Sequence, residues 1–171
     1  MRLTGRKSFI TGAAKGIGLS VARAFAAEGA AVARAGIPGA ERKKQSLEKK
    51  KKYGGHANGG EGDVGDTISV QNAIKEASEA FNGLDTIACM AATLTERLDV
   101  VDLPEDEWNR TLNVNLTGSF LVCKHGIPFL REAGGGSIIL TASQMGQVAW
   151  PGSTAYCTTK GGILQLVKGL A

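Results

Sequence analysis

Short apolar runs alternate with amphipathic helical stripes along most of this chain. Lys7–Ile10 reads as a strand and Ile17–Glu28 as a helix, followed by a strand around Ala30–Arg34 and a lysine-rich helix over Glu41–Lys52. A third strand is expected just before Asp63, a helix over Ser69–Phe81, a fourth strand at Leu84–Cys89 and a long helix over Glu105–Arg131. A fifth strand, Ser137–Ser143, precedes a last helix, Ala155–Leu170, whose Ile163, Leu164, Leu166, Val167 and Leu170 mark an apolar face. Strands that alternate with helices predict an α/β fold: a parallel sheet with helices on both faces. No internal repeat is present.

One segment fits this pattern badly. Tyr53–Glu61 is rich in glycine and asparagine where β-branched residues are expected, so the third strand reads as frayed or displaced, leaving Asp63 loosely placed. The wider composition agrees with the fold. With 171 residues and 43% hydrophobic content the chain can bury a sizeable core, and its 24 glycines suit many strand-to-helix turns.

Two constellations carry chemistry. After the first strand comes Thr11-Gly12-Ala13-Ala14-Lys15-Gly16-Ile17-Gly18. Glycines in such a turn let the chain bend sharply and let a pyrophosphate approach the helix amino terminus, where unpaired amides and the helix dipole favour negative charge. The spacing is Gly-x-x-x-Gly-x-Gly rather than Gly-x-Gly-x-x-Gly. The second constellation is Ser143, Tyr156 and Lys160. On a helix, Tyr156 and Lys160 share one face a single turn apart, and a phenol beside a fixed positive charge gives up its proton more readily. Ser143, at the end of the fifth strand, offers a hydroxyl to hold a substrate oxygen, although serines at strand ends also simply cap the next turn.

With Asp63-Val64, Trp108 and Asn113-Val114-Asn115 in order between them, these motifs make the chain resemble the short-chain dehydrogenase/reductase family from Leu3 to Ala171. The resemblance implies a doubly wound Rossmann-type fold in three layers, strand order 3-2-1-4-5. It further implies a single NAD(P)-binding domain over residues 1–171, carboxy-terminally incomplete, with the last two strands missing and the fifth strand's Ile138, Ile139 and Leu140 at an open edge. By the same resemblance Tyr156 is the general acid and base, Ser143 orients the reacting oxygen, and Lys160 favours the phenolate and bonds the nicotinamide ribose. Asn115 completes the set by holding a proton-relay water. Gly12, Ala14, Lys15, Gly16, Ile17 and Gly18 cradle the pyrophosphate, Asp63 and Val64 take the adenine, and Ala91 lines the ribose site.

The sequence departs from the family in two places. Gly36 stands where an aspartate commonly binds the adenosine ribose, and a carboxylate there would repel a 2′-phosphate; with Lys15, Arg34 and Arg42 as candidate partners for that phosphate, NADP(H) is favoured over NAD(H). After the fourth strand, Cys89-Met90-Ala91-Ala92 replaces Asn-Asn-Ala-Gly. Cys89 and Met90 lack the amide hydrogen bonds, and alanine at 92 disfavours positive φ.

The net charge of +4 comes largely from Arg42-Lys43-Lys44 and Lys49–Lys52, which with Glu41 and Glu48 interspersed read as a solvated helix face rather than a nucleic-acid site. Cys89, Cys123 and Cys157 lack metal-site spacing, and His56 and His125 are isolated, so no metal is expected. Without a signal peptide or a long apolar span, the expectation is a cytoplasmic protein away from membranes. The leading reading is an oxidoreductase acting on a small secondary alcohol or ketone, homo-oligomeric through its two long helices, where Leu116, Phe120, Leu121, Ile163, Leu166 and Leu170 serve core or interface. The alternatives are a catalytically incomplete dinucleotide-binding module and a fragment that neither binds nor turns over.

Overall fold

The computed structural model describes residues 1–36 and 57–171. Five parallel strands, β1 (Lys7–Thr11), β2 (Ala31–Gly36), β3 (Ala57–Glu61), β4 (Thr86–Cys89) and β5 (Ser137–Leu140), form one sheet in the order β3-β2-β1-β4-β5. Of the described helices, α1 (Gly16–Ala27), α2 (Thr67–Phe81), α3 (Glu105–Leu112) and α4 (Gly118–Glu132) lie between strands, and α5 (Thr154–Leu170) follows β5. This is the expected doubly wound, Rossmann-type arrangement. The lysine-rich helix expected over Glu41–Lys52 lies outside the described residues, as do Arg42 and His56.

Alternation along the strands divides the apolar side chains between two faces. Phe9 packs with Ile74, Leu84, Ile87 and Val122 on the side of α2 and α4, whereas its neighbour Ile10 packs with Val32, Ala88 and Ala22 on the side of α1. Ile10, Ile74, Leu84 and Ile87 are all 0% exposed, and each such burial stabilises the fold by about 1.5–3 kcal/mol. α2 starts where Asp66 accepts the Ser69 N–H at 2.6 Å and stops at Asn82, whose φ of 54° ends the helix in the left-handed region.

β3 corrects the expectation of a frayed or displaced strand. Ala57–Glu61 pairs with Val32–Gly36 along its whole length, and the Gly62 N–H continues the ladder to the Gly36 carbonyl at 3.2 Å. A parallel ladder is made of main-chain groups, so a glycine-rich strand still pairs when its neighbour is firmly held. Asp63 therefore follows a fixed strand.

The fifth strand ends at Leu140, earlier than Ser143, and lies at a sheet edge with Ile139 43% exposed. The long helix expected over Glu105–Arg131 is interrupted by a π-helical turn, Asn113–Thr117, between α3 and α4. α5 packs against α3, that π turn and a 3₁₀ turn at Gln144–Gly146. Of its apolar residues and those of α4, Leu121 and Ile163 are core, while Phe120 and Leu170 are exposed. No helix among the described residues is long and apolar enough to cross a membrane.

Candidate active site

The site is built where β1, β2 and β4 end, at the carboxyl edge of the sheet. The glycine turn leaves β1 and lies directly on the exit of β4. Gly12 has φ 63°, and a Cβ there would sit 2.6 Å from the Ala91 nitrogen and 2.8 Å from the Met90 carbonyl carbon. Thr11, 1% exposed, holds the two segments together: its hydroxyl oxygen accepts the N–H groups of Met90 at 3.1 Å and Ala91 at 3.2 Å. Gly16, φ 57°, has open space where its side chain would be. Lys15 precedes α1 without a capping side-chain bond, and the first turn carries no acidic residue, so its unpaired amides keep their pull on an anion.

The turn forms one wall of a cleft of about 820 Å³. Gly12, Ala14, Lys15, Gly16, Ile17 and Gly18 line it, together with Gly36, Asp63 and Val64 and with Ala91, Ala92 and Leu94. Thr141, Tyr156 and Lys160 complete it. Arg34 is not among the residues that line this cleft and Arg42 lies outside the described residues; every other residue expected to bind the cofactor lines it. Ser143 and Asn115 do not.

Tyr156 and Lys160 stand a turn apart on α5, the ammonium 5.6 Å from the centroid of the phenol ring. Lys160 is 3% exposed and donates to the Thr141 carbonyl oxygen at 2.6 Å. Burial pushes its pKa down from the usual lysine value. No carboxylate pairs with it among the described residues.

Asn115 is buried inside the π turn with its amide committed. Its oxygen accepts the Thr93 N–H at 2.7 Å; its nitrogen donates to the Thr93 carbonyl at 3.0 Å and the Thr159 hydroxyl at 3.3 Å. Thr159 in turn donates to the Tyr156 carbonyl at 2.8 Å. Ser143 caps the 3₁₀ turn, its oxygen accepting the Met145 N–H at 3.2 Å, which leaves the hydroxyl proton uncommitted to that bond. Asp63 both starts a turn and lines the cleft: one carboxylate oxygen accepts the Gly65 N–H at 2.9 Å.

One expectation about the segment after β4 needs correction. Among the described residues Asn82 alone of the non-glycines has positive φ, so Ala92 carries no such strain. Cys89 and Met90 carry no amide side chains, as expected, and flanking threonines make other ties to this segment. Thr11 takes the Met90 and Ala91 N–H groups, and the Thr141 hydroxyl donates to the Met90 sulfur at 3.0 Å. Thr11, Thr93, Thr141 and Thr159 were not singled out from sequence; only Thr11 and Thr159, lying inside the two motifs, gave any signal.

A family model described as short chain dehydrogenase matches residues 6–171. The chain belongs to the short-chain dehydrogenase family. This family member is 36% identical to D-threitol dehydrogenase of Mycolicibacterium smegmatis, covering 99% of the chain and 65% of that protein. It is likewise 36% identical to a 2,5-dichloro-2,5-cyclohexadiene-1,4-diol dehydrogenase of Sphingobium indicum, covering 99% of the chain and 67% of the relative. Among solved structures, carveol dehydrogenase of Mycobacterium avium in complex with NAD superposes with a TM-score of 0.93 at 29% identity, over 99% of this chain and 66% of that one. The short-chain dehydrogenase chain thus spans about two thirds of the length of these relatives.

Proposed function

We propose that the chain is the dinucleotide-binding and proton-exchanging part, one domain over residues 1–171, of an NAD(P)-dependent oxidoreductase interconverting a secondary alcohol and a ketone. One observation carries the reading: Tyr156 and the buried ammonium of Lys160 line the same cleft as the glycine turn.

The residues suit a dinucleotide. The open space at Gly16 and the uncapped amides of α1 fit a pyrophosphate, and the second carboxylate oxygen of Asp63, with no donor among the described residues, fits the adenine amino group. When bound, the nicotinamide supplies or accepts the hydride. Tyr156 gives its proton to the ketone oxygen or takes one from the alcohol. Lys160 favours the phenolate by its charge, and its ammonium protons not used on Thr141 serve the ribose hydroxyls. Ser143 donates its free proton to the same substrate oxygen. Asn115 keeps a lone pair on its amide oxygen for a water that passes protons outward from Lys160.

NADP(H) is favoured over NAD(H), because Gly36 puts no carboxylate at the end of β2 and Lys15 brings a cation to the same cleft. Two copies would pair through α4 and α5, whose Phe120, Val167 and Leu170 are exposed; sedimentation as a monomer counts against this.

The test is direct. NADPH or NADH should raise the melting temperature of the purified chain, and a panel of ketones should oxidise NADPH. Tyr156→Phe should cut turnover by about 10²–10⁴-fold while keeping the cofactor-dependent thermal shift. Turnover within tenfold of wild type would sink the assignment of Tyr156. A second reading, binding without turnover, is favoured by Cys89 and Met90 in place of two asparagines; a thermal shift with no oxidation of NADPH supports it.

A further inference from the structure

The π turn has a side that the proton chemistry leaves unused. Its closing bond runs from the Gly118 N–H to the Asn113 carbonyl, five residues back. An α-helical bond from that carbonyl would instead run to Thr117. Asn113 and Gly118 are thus brought to the two ends of one hydrogen bond, and each meets a residue of the loop Gly62–Asp66. Asn113 donates through its amide nitrogen to the Gly65 carbonyl at 3.3 Å. Gly65 does not have positive φ, so its backbone does not require glycine; space does, since a Cβ there would run into the Asn113 amide. On the other side, a Cβ on Gly118 would lie 2.9 Å from Cγ2 and 3.0 Å from Cβ of Val64, so the valine, 7% exposed, is seated on a bare helix backbone. Glycines on both partners at one contact mark a close fit. The same loop carries Asp63 and Val64 to the cleft, which Val114, inside the π turn, also lines.

We infer that Asn113 and Gly118 are positioning residues for the adenosine half of the dinucleotide: the π turn is a socket that holds Asp63 and Val64 in the cleft wall. The inference rests on the proposed cofactor binding and adds to it a division of labour. Asn115 is assigned to the proton chemistry, and Asn113, two residues earlier, to the loop.

Half-molecules of the cofactor separate the two. In calorimetric titrations, Asn113→Ala should bind adenosine 5′-monophosphate and NADPH each about three- to tenfold more weakly than wild type, the loss of one hydrogen bond. Nicotinamide mononucleotide should bind both proteins equally. Gly118→Ala should give the same pattern. Unchanged binding of adenosine 5′-monophosphate, or an equal loss for the nicotinamide half, would overturn the inference. A measurement without ligand guards against a general folding defect: amide exchange at Gly65 and Asp66 should quicken in Asn113→Ala while β1 and β4 amides keep their protection. Exchange unchanged at the loop also overturns it. If wild type binds none of the three compounds, the functional reading falls, and loop exchange alone decides the socket.

Discussion

Replacing Gly12 with alanine should be far more damaging than the same change at Gly16, though both glycines lie in one turn with nearly equal φ, 63° and 57°. An L-residue in this left-handed region costs about 1–2 kcal/mol at either site. Only at Gly12 does the new methyl also meet protein, and what it meets is backbone: Ala91 N at 2.6 Å, Ala91 Cα at 2.7 Å and Met90 C at 2.8 Å. Those atoms cannot rotate away, and the Thr11 hydroxyl holds the Met90 and Ala91 N–H groups in place at 3.1 and 3.2 Å. Forcing a methyl into such a contact adds about 1–3 kcal/mol. The expected totals are about 2–5 kcal/mol for Gly12→Ala and about 1–2 for Gly16→Ala. Any gain from a stiffer unfolded chain is common to both and cancels in the comparison. Urea denaturation of the two variants measures the difference, about 1–3 kcal/mol. At this size it corresponds to a melting temperature lower by roughly 2–12 °C in Gly12→Ala than in Gly16→Ala. Equal destabilisation would refute the idea that the β4 exit is a rigid floor under the turn.

Further changes probe other parts of the site. Thr11→Val keeps the side-chain shape but leaves the Met90 and Ala91 N–H groups without their acceptor, so urea denaturation should show a loss of about 1–3 kcal/mol. Burial lowers the Lys160 pKa in the folded chain, so between that lowered value and the ordinary 10.5 the unfolded chain binds more protons and stability rises with pH. The penalty for burying the charge is complete below the folded value and fades as pH climbs toward 10.5. The stability of wild type relative to Lys160→Met should therefore increase across that alkaline window, as followed by urea midpoints; a decrease would show that the ammonium is favoured by its surroundings.

The parts of the site legible in the sequence were those encoded by local spacing. The glycine turn and the Tyr156–Lys160 pair each sit within one turn-and-helix unit, and helical periodicity alone puts the phenol and ammonium on one face. The strand order came through the family resemblance. Side-chain propensity misled at Ala57–Glu61, where main-chain pairing with β2 decides the outcome. Periodicity also ran straight through Asn113–Thr117, because an apolar stripe does not distinguish a π turn from the α-helices on either side. The threonine ties were hidden for a different reason. Thr11 bonds Met90 and Ala91, and Asn115 bonds Thr93 and Thr159, so these partners become neighbours only after the sheet and helices have assembled.

Gly146 offers a lesson for engineering. A Cβ there would lie 2.6 Å from the Lys160 carbonyl oxygen, so the 3₁₀ turn capped by Ser143 rests on the bare main chain of α5. The serine turn and the tyrosine helix are thereby registered to each other by peptide atoms rather than by exchangeable side chains. Loop grafts between Gln147 and Ser153 inherit that register, which makes this stretch a natural place to splice in new loops.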